Sequence, residues 1–118
     1  MNRERLAALA DQLIPAEGGM PSASEAGAVG EWLDAVLAAR RDFRAPLEEL
    51  SASIGDVDPT ELAVLTAAVV AAYYMNPEVC ERIGYAGQRA IPFDPDAPHY
   101  VDLLESVRAR APVYRPTP

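Results

Sequence analysis

Three places in the chain carry side chains that could do chemistry. His99 could transfer a proton or bind a metal ion, Cys80 could supply a thiolate nucleophile, and Asp94 and Asp96 could bind Ca2+ or act as an acid and base pair. His99 has no metal or nucleophile partner at a recognisable spacing, although a catalytic histidine needs an arranged second group. Cys80 has only Arg82 as a nearby positive charge, and acids between prolines more commonly form turns. We therefore predict a surface or helix-start position for His99, core filling for Cys80 and a turn for the aspartates. The sequence predicts no catalytic, cofactor-binding or metal-binding residue in this chain.

Nucleotide binding would require a Gly-x-Gly-x-x-Gly segment after a strand. The segment Gly84-Tyr85-Ala86-Gly87 has neither the spacing nor the strand, so we predict a turn that ends a helix. Upstream, Tyr73 and Tyr74 are adjacent and point about 100° apart on a helix, so one should pack inward while the other reaches the domain boundary. If the chain binds a small molecule, its pocket is expected near Tyr73, Tyr74 and Tyr85.

The element that positions these tyrosines is a helix over Leu62 to Met75, fourteen residues without a charge. A helix that is apolar on nearly every side is expected to be surrounded by other protein, and this one is too short for a bilayer, which needs about 20 apolar residues. Asp58-Pro59 predicts its start, with a capping side chain followed by a proline in the first turn. Asn76-Pro77 repeats the same device and predicts a sharp corner into a helix that reaches Ile83.

The remaining segments also show helical spacing, interrupted by prolines, so we predict an all-α, single-domain bundle around a buried central helix. The first helix ends near Pro15, the second starts at Ser22 or Ser24 and carries Trp32, and the third starts near residues 44–46. The inward-facing residues are predicted to be Leu6, Leu9, Ala10, Leu13, Ile14, Val29, Trp32, Leu33, Val36, Leu37, Phe43, Leu47, Leu50 and Ile54. A last helix from about His99 to Arg110 is expected to bury Tyr100, Leu103, Leu104 and Val107. The helical domain is predicted to span 1–111, with an extended proline-rich tail over 112–118.

The charge of the chain limits its partners. The 118 residues contain 18 Asp and Glu against 10 Arg, a formal net charge of -8. A phosphate backbone or anionic membrane would be repelled by that field, so we expect neither nucleic acid nor a membrane as a partner. No secretory signal or membrane-spanning segment is recognisable, and we expect a cytoplasmic protein.

Two sequence blocks follow a known family pattern. The first runs Ala10-Asp11-Gln12-Leu13-Ile14-Pro15, then Pro21-Ser22-Ala23-Ser24-Glu25-Ala26-Gly27 and Trp32-Leu33-Asp34. The second is Tyr73-Tyr74-Met75-Asn76-Pro77-Glu78 followed by Ile83-Gly84-Tyr85-Ala86-Gly87. The first block resembles the opening of the gluconate 2-dehydrogenase subunit 3 family, and the second is similar to that family's aromatic, Asp-Pro and Ile-Gly-aromatic-Pro-Gly sequence. Together the blocks cover about half the chain in the family's order.

The resemblance implies a non-catalytic accessory subunit that stabilises a flavin-dependent sugar or alcohol dehydrogenase of the glucose-methanol-choline type. The FAD is then expected in the large partner subunit, with none in this chain. Residue types that interfaces favour lie in the proline-rich loop and the tail, namely Tyr85, Arg89, Phe93, Tyr114 and Arg115. The alternatives are a stand-alone helical protein that binds a small molecule, a homo-oligomeric structural protein and an unrecognised enzyme.

Overall fold

The computed structural model describes residues 1–90, 92, 94, 98–113 and 115–117, and for residues 98–100 it describes the backbone alone. The chain divides into two compact units, Met1–Gly87 and Gln88–Pro118. Helices α1 to α6 span Arg3–Leu13, Glu31–Ala39, Arg44–Ala52, Pro59–Met75, Pro77–Arg82 and Pro98–Ala109. Because the described residues form helices and no strand, the all-α prediction is confirmed. The predicted division into 1–111 and 112–118 stays a prediction.

Helix α4 is the centre of the first unit. It packs against α1, α2, α3 and α5, as a helix with apolar residues around most of its circumference must. The fully buried large side chains come from all five helices of the unit, namely Leu6, Leu33, Leu37, Leu47, Leu50, Leu65, Val69 and Val79. The predicted central position of this helix is therefore confirmed, but the expectation that other protein surrounds it on nearly every side is wrong, because one side of α4 is exposed.

The predicted caps fix the N-terminal starts of α4 and α5. Asp58 accepts a hydrogen bond from the Thr60 backbone N–H at 2.8 Å, which satisfies one free amide of the first turn of α4. Asn76 accepts from the Glu78 N–H at 2.8 Å and donates through Nδ2 to the Ala26 carbonyl at 2.9 Å. The corner between α4 and α5 is thereby joined to a segment fifty residues away in the sequence.

The predicted start of the second helix is wrong. Ser22 and Glu25 do form the reciprocal capping bonds, at 2.9 Å and 3.3 Å, but they stabilise a series of turns over residues 23–30 and α2 begins at Glu31. The cause is Gly27, whose φ of +73° is incompatible with a right-handed helix. The turns bury Ala23, Ala26 and Ala28 against the core, so this segment packs as part of the domain.

Three predictions about buried side chains are also wrong. Leu13, predicted to face inward, is 38% exposed, because it is the last residue of α1. Ile54 is 99% exposed because α3 ends at Ala52, which takes Ile54 off the inward face of that helix. Helix α4 is not enclosed all round: Ala63, Ala67, Val70, Ala71 and Tyr74 are exposed on one side, because the surrounding helices cover only the opposite side.

The second unit contains α6, and its apolar residues are not buried as predicted. Leu103, Leu104 and Val107 are 61%, 63% and 54% exposed, and Val101 is 57% exposed. Within Gln88–Pro118, α6 is the one helix of the described residues, so this unit offers no second helix against which an apolar face could pack. The Tyr100 side chain lies outside the described residues.

Candidate partner-binding surface

Large apolar side chains are exposed where α4 meets α5 and where α5 ends. We call this surface the corner patch. Its members are between 41% and 55% exposed and are Val70, Tyr74, Met75, Ile83 and Tyr85. Scattered exposed apolar residues are normal, but a group of them around one turn of the chain is typical of an interaction surface.

The chain geometry brings the two ends of the patch together through Cys80. The Cys80 thiol donates to the Tyr74 carbonyl at 3.0 Å, and the Cys80 carbonyl accepts from the Tyr85 N–H at 2.9 Å. The second bond belongs to a turn in which Gly84, with φ +74°, donates to the Glu81 carbonyl at 3.0 Å. This pair of bonds is the Schellman motif, which ends α5 and confirms the predicted helix-terminating turn.

Tyr73 supports the patch from inside. It is 4% exposed, and its hydroxyl donates to the Pro21 carbonyl at 2.8 Å. Its ring meets the Tyr74 ring edge to face, with centroids 5.4 Å apart and planes at 89°, a favoured geometry for aromatic pairs. Burial raises the pKa of the Tyr73 phenol, Tyr74 adds to this rise, and the positive charge of Arg82 opposes it. The prediction that one tyrosine packs inward and the other reaches the boundary is confirmed.

Arg82 fixes α5 on the other side of the patch. Its guanidinium donates to the Gly19 carbonyl and to the Glu78 carboxylate, the latter at 2.8 Å. The bond to Gly19 joins α5 to the loop that follows α1. An exposed ion pair such as Arg82–Glu78 contributes little stability, but the two bonds together orient α5.

Electrostatically, the two units differ. Residues 1–87 hold fourteen Asp and Glu against six Arg, whereas residues 88–118 hold four of each. The whole formal net charge of -8 therefore belongs to the unit that carries the corner patch. Exposed Glu81 and Arg82 both lie in α5, so the helix between Met75 and Ile83 carries charges of both signs.

The other sequence-predicted contact residues are not brought to this patch by any described contact. Arg89 and Arg115 are exposed in the second unit, while Phe93 and Tyr114 lie outside the described residues. The same holds for Asp96 and for the side chain of His99, whose backbone lies in the first turn of α6. Partner contacts by these residues stay predictions.

Sequence reasoning missed three members of the patch. The sequence predicts that Val70 and Met75 lie in a helix surrounded by other protein, and it predicts Ile83 only as the end of the next helix. The available signal was the Asn76-Pro77 corner, because a sharp change of chain direction leaves the last turn of the preceding helix with fewer neighbours.

The structure also contains a polar cluster that the sequence did not predict. The Asp11 carboxylate accepts from the Ser24 N–H at 2.8 Å and from the Ser24 hydroxyl at 2.6 Å, and the Ser22 hydroxyl lies 3.3 Å from that of Ser24. Burial opposes ionisation of Asp11, but the hydrogen bonds from Ser24 and Ser22 outweigh it and lower the pKa of this carboxyl. The cluster joins α1 to the turns before α2.

Among the described residues, no group of three or more His, Cys, Asp and Glu side chains is placed to hold a metal ion. No pocket is found near Tyr74 and Tyr85 or elsewhere in the described part of the chain. Of the described helices, none combines the length and the apolar character needed to cross a bilayer. The chain matches no model of a known protein family, no curated protein and no solved structure.

Proposed function

We propose that this protein is a non-catalytic accessory subunit that binds and stabilises the large, FAD-carrying subunit of a dehydrogenase of the glucose-methanol-choline type. The observation that carries the proposal is the exposed apolar face of α6. An amphipathic helix with no helix to pack against in its own unit is the form in which many proteins present a segment to a groove in a partner.

The spacing of the α6 residues fits this mode of binding. Positions 100, 103, 104 and 107 follow the i, i+3, i+4, i+7 pattern of a helix that places one face in a groove. Leu103, Leu104 and Val107 are more than half exposed, so burying each would contribute roughly 1 to 2 kcal/mol, given about 1.5 to 3 kcal/mol for complete burial. Three such anchors can offset part of the cost of association.

The chain on both sides of α6 also favours binding. Residues 86–98 contain three prolines, and residues 112–118 contain three more. Proline restricts the unbound backbone, so ordering these segments on a partner costs less conformational entropy than ordering a flexible chain. Arg89 and Arg115 in these segments are suited to pairing with partner carboxylates.

The identity of the partner rests on the resemblance of the two sequence blocks to the gluconate 2-dehydrogenase subunit 3 family. In the structure these blocks include Asp11, Ser22 and Ser24, which form one polar cluster, and Tyr73, Asn76 and Tyr85, which lie in or support the corner region. On this proposal the FAD and the catalysis belong to the large subunit, and the complex is cytoplasmic.

The test is recovery of the tagged full-length protein from its native host, with visible absorption and mass spectrometry of the recovered complex. We expect one flavin-containing oxidoreductase in a fixed ratio to this chain. Leu104→Glu should lower the yield of the complex at least tenfold, which corresponds to about 1.4 kcal/mol, because it places a charge in the apolar face. Glutamate is a good helix former, so α6 should persist.

Ala109→Glu is the matched control, since it adds the same charge at least about 120° around α6 from Leu103, Leu104 and Val107 and should leave the yield unchanged. Recovery of this chain alone, colourless and in one oligomeric state, would reject the accessory-subunit proposal and favour a stand-alone or homo-oligomeric protein. Turnover of a substrate by the purified chain would reject the non-catalytic role.

A further inference from the structure

We propose that the corner patch is a second docking surface of the accessory subunit, and that it binds an apolar area bordered by Lys and Arg on the same large subunit. This inference rests on the proposed function for the nature of the partner. It is carried by different residues, all of them in the Met1–Gly87 unit.

The composition of the patch is that of the centre of an interface. Tyr74 and Tyr85 are 52% and 55% exposed, and Met75 is 42% exposed. Tyrosine and methionine are enriched at interfaces, and tyrosines contribute strongly to binding because they bury a large area with few rotatable bonds. Val70, four residues before Tyr74, extends the apolar surface along α4.

The patch is also held in place before any partner binds. The Tyr73 ring packs against the Tyr74 ring, and the Schellman turn at Gly84 fixes the backbone of Tyr85. Asn76 holds the corner through hydrogen bonds to α5 and to the Ala26 carbonyl. A surface fixed in this way loses little conformational entropy on binding, so more of the apolar contact energy is retained as affinity.

Charge identifies the chemistry of the surface that fits the patch. The unit that carries the patch has a formal net charge of -8, and none of the five patch residues is charged. A complementary surface is therefore apolar in the centre and basic at its border. Such complementarity mainly accelerates association and excludes partners of the wrong charge.

A second copy of this chain fits the patch less well. Five side chains, each about half exposed, offer on the order of 500 Å², whereas a stable interface buries about 800 Å² on each partner. Two copies would also bring together units that each carry -8. A larger partner that binds α6 as well supplies the missing area without this repulsion.

The experiment immobilises the flavoprotein recovered with this chain and measures the association and dissociation rates of the full-length chain by surface plasmon resonance. Tyr74→Glu and Tyr85→Glu should each weaken binding at least tenfold, and Tyr74→Phe should bind like the wild type, because it keeps the apolar ring. Ile54→Glu is the matched control, since Ile54 is 99% exposed and lies outside the patch. Circular dichroism and thermal unfolding should show that all variants remain folded.

Salt supplies an independent measurement. Raising the ionic strength from 50 to 500 mM should slow association at least tenfold and change dissociation little, as expected for oppositely charged surfaces. If Tyr74→Glu and Tyr85→Glu bind within twofold of the wild type while Leu104→Glu abolishes binding, the corner patch is not a docking surface but the accessory-subunit proposal stands. If the patch variants instead convert a dimer of this chain into monomers, the occupant is a second copy and the hetero-partner inference is overturned. If no flavoprotein is recovered, both proposals fail.

Discussion

Asn76 makes two separable contributions to the stability of the first unit, and removing them one at a time is the sharpest test of how the corner is built. Its side-chain oxygen caps α5 by accepting from the Glu78 N–H at 2.8 Å, and its Nδ2 donates to the Ala26 carbonyl at 2.9 Å. Asn76→Ala removes both bonds. Loss of an N-cap costs about 1 kcal/mol, and loss of the donor to a partly buried carbonyl costs about 1 kcal/mol more.

The expected destabilisation for Asn76→Ala is therefore about 2 kcal/mol, which lowers the melting temperature of a unit of this size by roughly 8 to 16 °C. Asn76→Ser separates the contribution of the helix cap from that of the bond to the Ala26 carbonyl. Serine retains a capping oxygen but has no second polar atom for the Ala26 carbonyl, so it should lose only about 1 kcal/mol. Urea unfolding of the full-length protein, followed by circular dichroism, measures both variants.

A loss below about 0.5 kcal/mol for Asn76→Ala would refute the reasoning, since a side chain with two native hydrogen bonds would then contribute no more than an ordinary surface residue. Equal losses for the alanine and serine variants would show that the bond to Ala26 alone carries the effect. That result would make the contact between the corner and the turns before α2, rather than the cap, the determinant of stability.

Two further predictions concern the segment that precedes α2. Asp11→Asn should destabilise the protein at neutral pH, and the deficit should shrink as pH falls. The folded-state pKa of Asp11 is below its ordinary value of 3.8, so the stabilisation is fully present above pH 3.8 and is lost as pH falls through the folded-state pKa. Unfolding curves at pH 7 and at a series of pH values below 3.8 measure this, and a deficit that does not change with pH would contradict it. Gly27→Ala should lower the free energy of unfolding by about 1 to 2 kcal/mol, since alanine is strained at φ +73° and its Cβ would lie 3.2 Å from Trp32 Cδ1. Gly18→Ala is the control, because Gly18 is also left-handed but has open space around it, and this variant should lose less stability. Equal losses of stability would show that the Trp32 contact has no effect.

The helices that the sequence predicted well are those whose ends are marked by local chemistry. Asp58-Pro59 and Asn76-Pro77 each place a capping side chain before a proline with a preset φ, and both helices begin there. The start of α2 was not predictable in this way. The capping bonds of Ser22 and Glu25 form as expected, yet the left-handed Gly27 redirects the chain, and the packing of the residues after it decides the outcome.

The corner patch could be predicted only in part, because exposure depends on how many helices surround a given side. The absence of charged residues from Leu62 to Met75 shows that any side of α4 could be buried. The other four helices of its unit cover only one side of α4, and they leave Val70 and Tyr74 exposed. Tyr74 and Tyr85 were identified as candidate contacts by residue type. Their neighbours Met75 and Ile83 were not, since their exposure follows from the corner itself.

The two proposed contact surfaces should affect different rate constants of binding. The unit that carries the corner patch holds the whole net charge, and this charge should act mainly on the association rate and its salt dependence. The apolar face of α6 lies in a unit of balanced charge, so its contribution should appear mainly in the dissociation rate and depend little on salt. In the kinetic measurements, Leu104→Glu should therefore accelerate dissociation at every salt concentration. Glu81→Gln, which removes one exposed negative charge from the acidic unit, should slow association only at low salt. A pattern in which both variants change the same rate constant with the same salt dependence would mean that the two surfaces do not act independently.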